Sequence, residues 1–388
     1  RIKLYDIKLG TVRTLAVDWD YSPSDFRWSR DGKQLLLSVN MRARLCLCAI
    51  DVGTEAISTI LAQGSSSLCE ELSSGHLVYT RMNFSSPVEL WTSDGKGTNP
   101  IQLTFFNHKS LSELTLGKVQ EIDFIGAKDE QVQAWLVLPA GVQNLQELQP
   151  QSVPMAVVIH GGPQSAIMDA WHYRWHLQTY AAKGFVTLAI NFHGSTGFGH
   201  EFTRSISGDW GGAPYEDIIA GCRHVLSENP CIDPGRVCAL GASYGGFMIN
   251  FINGHAPADL FKCLVCHDGV FSFESSYYST EELFFMEYEF KGVPWEAKEG
   301  SPYQRFSPHL EVAKWKTPTL VIHGAKDYRL VETEGIAAFQ ALQRQGVPSA
   351  LLLFPSENHW VMNPLNSLIW HDQVLAWLDR WVGKASAL

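Results

Sequence analysis

The passage that most restricts what this chain can become lies between residues 236 and 252. The apolar run Arg236-Val-Cys-Ala-Leu240 enters Gly241-Ala242-Ser243-Tyr244-Gly245 directly, and residues 244–252 continue in a helical pattern. A G-x-S-x-G pentapeptide is modest by itself, because a chain of this composition yields about 0.2 such matches by chance. Its setting decides the matter. Strand, sharp turn and helix in immediate succession form the frame of a nucleophile elbow, and glycines at 241 and 245 remove side chains that would strike the adjoining strand and helix. Ser243 is therefore expected to stand exposed on the turn as a nucleophile.

A serine hydroxyl is a weak nucleophile at neutral pH and needs a base within hydrogen-bond reach, itself oriented by a carboxylate. With an elbow of this kind the chain order is Ser, acid, His. The strand-like residues 319–322 lead into His323-Gly-Ala-Lys-Asp327, which makes Asp327 the expected acid. Residues 351–354 lead into Pro355-Ser-Glu-Asn-His359, which makes His359 the expected base. Competing histidines are read differently: His323 as a packing or hydrogen-bonding group at a strand end, and His267-Asp268 and His371 as structural or surface groups. An oxyanion needs two preorganised donors. One is expected from the backbone N–H of Tyr244, and the other from His160-Gly161-Gly162-Pro163 after residues 156–159, with Gly162 admitting the substrate. A plain Gly-Pro turn is the alternative for that segment.

From residue 153 onward, strand-like runs at 156–159, 186–191, 237–240, 262–266, 319–322 and 350–354 alternate with helical stretches. That alternation implies an α/β architecture, a mostly parallel sheet wrapped by helices, and with the elbow it implies an α/β-hydrolase fold. Residues 1–112 differ. Leu4, Leu47 and Leu90 fall 43 residues apart, and Gly10-Thr11 recurs as Gly53-Thr54 at the same interval. A period in the low forties with several short strands per unit is that of a propeller blade, and about two and a half units are present; a small β-meander is the alternative. The expected domains are 1–112, a partial β-propeller, and 113–388, the catalytic domain.

A formal net charge of −10, with basic residues scattered singly, disfavours nucleic acid as a partner. No apolar run approaches the roughly 20 residues of a membrane helix, so no membrane partner is expected. The chain starts Arg1-Ile2-Lys3 with no leader pattern and reads as a piece of something longer. Its 8 cysteines are too sparse for a disulfide framework and suit a reducing, cytoplasmic setting. The one C-x-x-C, Cys263 to Cys266, lies in a strand-like run whose alternation aims the two thiols at opposite faces.

At these residues the sequence resembles the prolyl oligopeptidase family, in its acylaminoacyl-peptidase branch. The resemblance is carried by His160-Gly-Gly-Pro163, Asn191-Phe-His-Gly-Ser-Thr-Gly-Phe-Gly199, Trp210-Gly-Gly212 with Asp217, Gly241-Ala-Ser-Tyr-Gly-Gly-Phe247, Ser307-Pro308, His323-Gly-Ala-Lys-Asp327 and Glu357-Asn-His-Trp360. It implies a propeller over a hydrolase site, of which only the last blades would be present here. It also implies hydrolysis of short N-acylated peptides through an acyl-enzyme on Ser243, with no metal or organic cofactor. By the same resemblance Arg329 would hold a substrate carbonyl; a surface ion pair is the alternative. Phe284 and Phe285, in the aromatic segment 271–295, could line the pocket for the first side chain or belong to the core. The full-length protein is a possible homo-oligomer. The rival functions are a carboxylesterase, a dipeptidyl peptidase on the same fold, and an inactive propeller-hydrolase scaffold fragment.

Overall fold

A computed structural model describes residues 2–257 and 259–383. The chain separates into two compact units: Arg1–Thr115 with Ala166–His176 and Ser195–Thr203, and Leu116–Ser165 with Leu177–Gly194 and Arg204–Leu388. A linear division near residue 112 would assign the two inserted segments to the catalytic domain. They group instead with the first unit, where Arg42 N–H donates to the Gly197 carbonyl at 2.8 Å and Asp169 accepts from Phe84 N–H at 3.0 Å.

The first unit is a set of antiparallel sheets. A pair, β1 (Ile2–Asp6) and β2 (Thr11–Leu15), precedes a four-stranded sheet of β3 (Pro23–Trp28), β4 (Gln34–Met41), β5 (Arg44–Asp51) and β6 (Ile57–Leu61). A second four-stranded sheet follows from β7 (Ser65–Glu71), β8 (Leu77–Asn83), β9 (Ser86–Ser93) and β10 (Ile101–Gln102). The 43-residue beat thus falls on equivalent strands: Leu4 in β1, Leu47 in β5, Leu90 in β9. Period-two alternation sends the side chains of β4 and β5 to both faces, and burial of both faces explains their largely apolar centres. Leu35, Leu37, Val39, Cys46, Cys48 and Ile50 pack on one side with Leu15. Leu36, Leu47 and Ala49 pack on the other with Leu68, Leu77 and Tyr79 of the next sheet. Stacked meanders of this kind are propeller-like.

The second unit is built on an eight-stranded sheet: β11 (Val119–Ile125), β12 (Gln131–Val137), β13 (Val153–Ile159), β14 (Val186–Asn191), β15 (Ile232–Ala242), β16 (Cys263–His267), β17 (Thr319–Gly324) and β18 (Ser349–Phe354). Their order is β11-β12-β14-β13-β15-β16-β17-β18. The first two pairings are antiparallel and the remainder parallel. Covered on both faces, β13 (VPMAVVI) and β16 (CLVCH) are wholly buried, as continuous apolar runs in a parallel sheet must be. Its helices include α1 (Ala213–Glu228), α2 (Tyr244–His255), α3 (Phe273–Ser279), α4 (Leu283–Phe290), α5 (Glu332–Arg344) and α6 (Pro364–Val382). Local chemistry starts them. Pro364 opens α6 while the Asn363 side chain accepts the Leu365 N–H at 2.9 Å. The largest core cluster joins the sheet to α1 and α2 through Leu188, Ile190, Ile218, Phe247, Ile249 and Leu264. Among the described residues no helix is long and apolar enough to cross a membrane. All eight cysteines are free thiols, and burial pushes Cys266 up to about 12.

Candidate active site

Parallel strands bring their following loops to one edge of the sheet, and Ser243, Asp327 and His359 each follow one of these strands. β15 ends at Ala242, Ser243 takes φ 60° and ψ −122°, and α2 begins at once with Tyr244. A left-handed φ at a serine is costly and is held here by its surroundings. The Ser243 N–H donates to the His267 carbonyl at 3.0 Å, and Phe247 N–H donates to the Ser243 carbonyl at 2.9 Å. The tightness of the turn explains its glycines: a Cβ at Gly241 would lie 2.6 Å from the Gly245 carbonyl oxygen, and one at Gly245 would run into the Ile159 carbonyl. Ser243 itself stays half-buried among buried neighbours.

Two strands further along, the loops after β17 and β18 are sewn together by their backbones. Ala325 N–H donates to Phe354 O, and Lys326 N–H to Glu357 O, each at 2.9 Å. This brings Asp327 and His359 into contact, with His359 Nδ1 donating to Asp327 Oδ2 at 2.6 Å and both side chains buried. Asp327 Oδ1 also accepts from the N–H groups of Arg329 and Leu330, each at 3.0 Å. A carboxylate held by three donors is fixed in direction as well as charge. Buried Glu357 shapes the His359 loop by accepting from Met362 N–H at 2.8 Å, from Asn363 N–H at 3.3 Å and from the Asn366 side chain.

His323 is placed close to this pair but is otherwise engaged. Its Nε2 donates to the Leu330 carbonyl at 2.7 Å, which clamps the Asp327 loop and removes that nitrogen from any role as base. Asp268, His323 and Asp327 offer donor atoms within 4.8 Å of one another, a spacing that could hold a metal ion. The His323 and Asp327 atoms are already committed, to Leu330 and to His359.

Of the two readings given for His267-Asp268, structural or surface, burial leaves the structural one. Neither is a surface group: both are fully buried at the end of β16, and Asp268 lies inside the site. Its carboxylate is 3.0 Å from His267 Nε2, 3.8 Å from His323 Nε2 and 3.9 Å from His359 Nδ1. Burial pushes the Asp268 carboxyl up, but the surrounding His267, His323 and His359 outweigh it and the net displacement is downward. Sequence order hid this residue, because it reaches His359 across β17 rather than along the chain. His371, on α6, is half-buried and bonded to the Ser367 carbonyl.

After β13 the loop His160-Gly161-Gly162 runs beside the elbow. A Cβ on Gly161 would lie 3.2 Å from Ser243 Cβ and 3.7 Å from Ser243 Oγ. His160 Nδ1 contacts the Gly161 carbonyl at 2.7 Å, and the His160 ring stacks on Phe192 at 4.0 Å. Burial drives the His160 imidazole down to about 4, so at neutral pH it is an uncharged donor to that carbonyl. Gly162 follows with φ +124°. Tyr244 is buried, its hydroxyl donating to the Trp210 carbonyl at 2.6 Å and its phenol pushed well up by burial.

The expected substrate-binding residues scatter. Arg329 Nη2 pairs with Glu282 Oε1 at 2.8 Å and lies 3.7 Å from Glu281, while its guanidinium sits 5.2 Å over the Trp360 ring. Phe285 packs on Trp210 at 5.6 Å within a cluster of buried aromatic rings, whereas Phe284 is 70% exposed. A second buried acid and histidine pair went unread in the sequence. Asp217 on α1 accepts from His193 N–H at 2.6 Å, His193 Nδ1 at 2.7 Å and Ala127 N–H at 2.8 Å. Burial drives His193 down, but Asp217 and Glu130 outweigh it and its net displacement is upward. Nothing local in the sequence signals this pairing.

Residues 171–385 match the model of the prolyl oligopeptidase family. The chain is 38% identical over 410 residues to dipeptidyl-peptidase 5 of Schizosaccharomyces pombe, covering 100% of this chain and 56% of that protein. It is 38% identical over 399 residues to a probable dipeptidyl-peptidase 5 of Aspergillus clavatus, covering 98% of this chain and 53% of that one. The chain thus spans about half the length of these curated relatives. Among solved structures it is similar to uncomplexed acylaminoacyl peptidase of Pyrococcus horikoshii, at TM-score 0.84 and 22% identity, over 100% of this chain and 60% of that one. It is also similar to dipeptidyl peptidase 4 of Porphyromonas gingivalis, at TM-score 0.80 and 17% identity, over 97% and 52%. At these identities the structures establish the fold alone.

Proposed function

The chain belongs to the prolyl oligopeptidase family of serine peptidases, and from that premise we propose that it releases dipeptides from the free amino end of short peptides, with Ser243 as nucleophile, His359 as base and Asp327 as acid. The observation that carries this reading is the 2.6 Å bond from His359 Nδ1 to Asp327. An imidazole that donates through Nδ1 keeps Nε2 as its acceptor, the tautomer a general base requires.

Ser243 Oγ attacks the substrate carbonyl carbon and its proton passes to His359 Nε2. The resulting oxyanion takes hydrogen bonds from the N–H groups of Tyr244 and Gly162. Collapse breaks the C–N bond, the departing amine takes the proton from His359, and water then hydrolyses the acyl-enzyme by the same base. Asp327 stays ionised and stabilises the imidazolium. Loss of either oxyanion donor is expected to cost about 10²–10³ in kcat.

The preference for a free amine rests on the site rim and on the relatives' names. Glu281 and Glu282 face the single guanidinium of Arg329, which leaves one negative charge in excess. An ammonium group would be attracted there, and an acyl cap would not. Release of N-acylated amino acids is the competing reading, with Arg329 then directed to a substrate carbonyl. The free thiols support a reducing, cytoplasmic setting. Turnover of alanyl-alanyl-p-nitroanilide against acetyl-alanyl-p-nitroanilide by the full chain decides the specificity, with Ser243→Ala as control. A kcat/KM ratio of about tenfold or more is expected in favour of the free amine, from roughly one ion pair; a ratio of one or below assigns the acylated substrate instead.

A further inference from the structure

We infer that Asp268 is a second acid of the site, a positioning residue that shares the His359 imidazolium with Asp327. The inference rests on the proposed roles of Ser243 and His359 and adds a group that those roles do not require.

His359 Nδ1 faces two carboxylates, Asp327 Oδ2 at 2.6 Å and Asp268 Oδ2 at 3.9 Å. They come from different places: Asp268 from the turn after β16, Asp327 from the loop after β17. The Asp268 turn is itself constrained. Asp268 has φ 48°, its N–H donates to the Ile322 carbonyl at 3.0 Å, and its Oδ1 accepts from Gly324 N–H at 3.4 Å. The carboxylate therefore cannot swing away from His359 without breaking contacts to β17.

A buried carboxylate with this placement is expensive unless positive charge or donors surround it. The groups facing it are His267 on β16, His323 at the end of β17, Asp327 in the following loop and His359 after β18. Cys266, two residues earlier in the chain, is a buried thiol. Glu334 on α5 faces the same turn but is used by the N–H groups of Phe271 and Ser272, each at 2.8 Å. No Lys or Arg is among these neighbours. His267, at 3.0 Å, and His323 lie against the Asp268 carboxylate, and the positive charge that forms on His359 when it takes the proton of Ser243 adds to what they provide. Asp268 thus contributes most at the moment the imidazolium exists, by electrostatics through the protein interior.

The test reads the second-order rate of fluorophosphonate labelling of the full chain against pH, because labelling needs His359 in its neutral form. Removing a negative charge beside the imidazolium makes the proton easier to lose, so the acid limb moves to lower pH. Asp268→Asn is expected to move that limb down by about one pH unit, and Asp268→Glu to move it back. An acid limb that stays in place in a folded Asp268→Asn protein overturns the inference. Should Asp268→Asn fail to fold, Asp327→Asn decides: with a second acid present the loss of labelling rate is about 10²-fold, whereas the full loss of about 10⁴-fold known for a lone triad acid overturns it. Labelling that survives Ser243→Ala instead overturns the underlying reading, and this inference with it.

Discussion

Replacing His160 by Phe removes one hydrogen bond while keeping an aromatic ring to stack on Phe192. In the native protein His160 Nδ1 donates to the Gly161 carbonyl at 2.7 Å, and Gly161 lies against Ser243. In a trans peptide the carbonyl and the following N–H point in opposite directions. The bond from His160 therefore sets the direction of the Gly162 N–H, the donor assigned to the oxyanion. One buried hydrogen bond contributes about 1–1.5 kcal/mol to the preferred peptide orientation, which corresponds to a population factor of about 5–13. His160→Phe is accordingly expected to lower kcat about tenfold, short of the 10²–10³ expected for a donor lost outright. KM should scarcely change, because the donor acts chiefly on the transition state. Since burial holds His160 near 4, the loss should be uniform from about pH 6 to 9. Steady-state kinetics across that range provide the assay. A kcat within twofold of wild type, or a loss that appears only on one side of pH 7, would refute the peptide-orientation argument.

Two further perturbations test the scaffold around the site. Asp217→Asn takes the charge from a carboxylate that accepts three N–H groups, two of them from His193, and should cost about 3–5 kcal/mol in urea unfolding near pH 6. Because the folded imidazole of His193 is displaced upward, its stabilisation is complete below the ordinary value of about 6.5 and fades as pH rises through the displaced value. The gap between wild type and variant should therefore narrow toward pH 9, and a constant gap would show that the charged form is not what Asp217 stabilises. Glu357→Gln weakens the acceptors that hold the His359 loop. A displacement of about half an ångström would lower kcat about tenfold; an unchanged kcat together with an unchanged Tm would remove Glu357 from the supporting structure.

What the sequence reveals about this protein depends on how local each signal is. The run at residues 186–191 coincides with β14, and the elbow signal coincides with the junction of β15 and α2, because apolar runs and turn glycines act within a few residues of themselves. Asp327 and His359 could be located from the strands that precede them. Asp268 could not: its significance comes from the neighbouring position of β16 and β17 in the sheet, which no pattern along the chain encodes. The same holds for His193 and Asp217, and for segments Ala166–His176 and Ser195–Thr203, whose partners are far away in sequence. Arg329 illustrates a different limit. Its position after Asp327 is readable, but Glu282 comes from a loop whose path depends on tertiary packing.

Ser243, Asp268, Asp327 and His359 leave four adjacent strands, so the ladder between those strands works as a vernier for the chemistry. A strand advances about 3.3 Å per residue, and a one-residue slip also reverses which side every following group points to. A contact of 2.6 Å between the loops of β17 and β18 tolerates no such slip. Insertions or deletions within β15 to β18 should then abolish turnover even where the fold survives. During refolding, the return of activity should report the moment all four strands have found their heights.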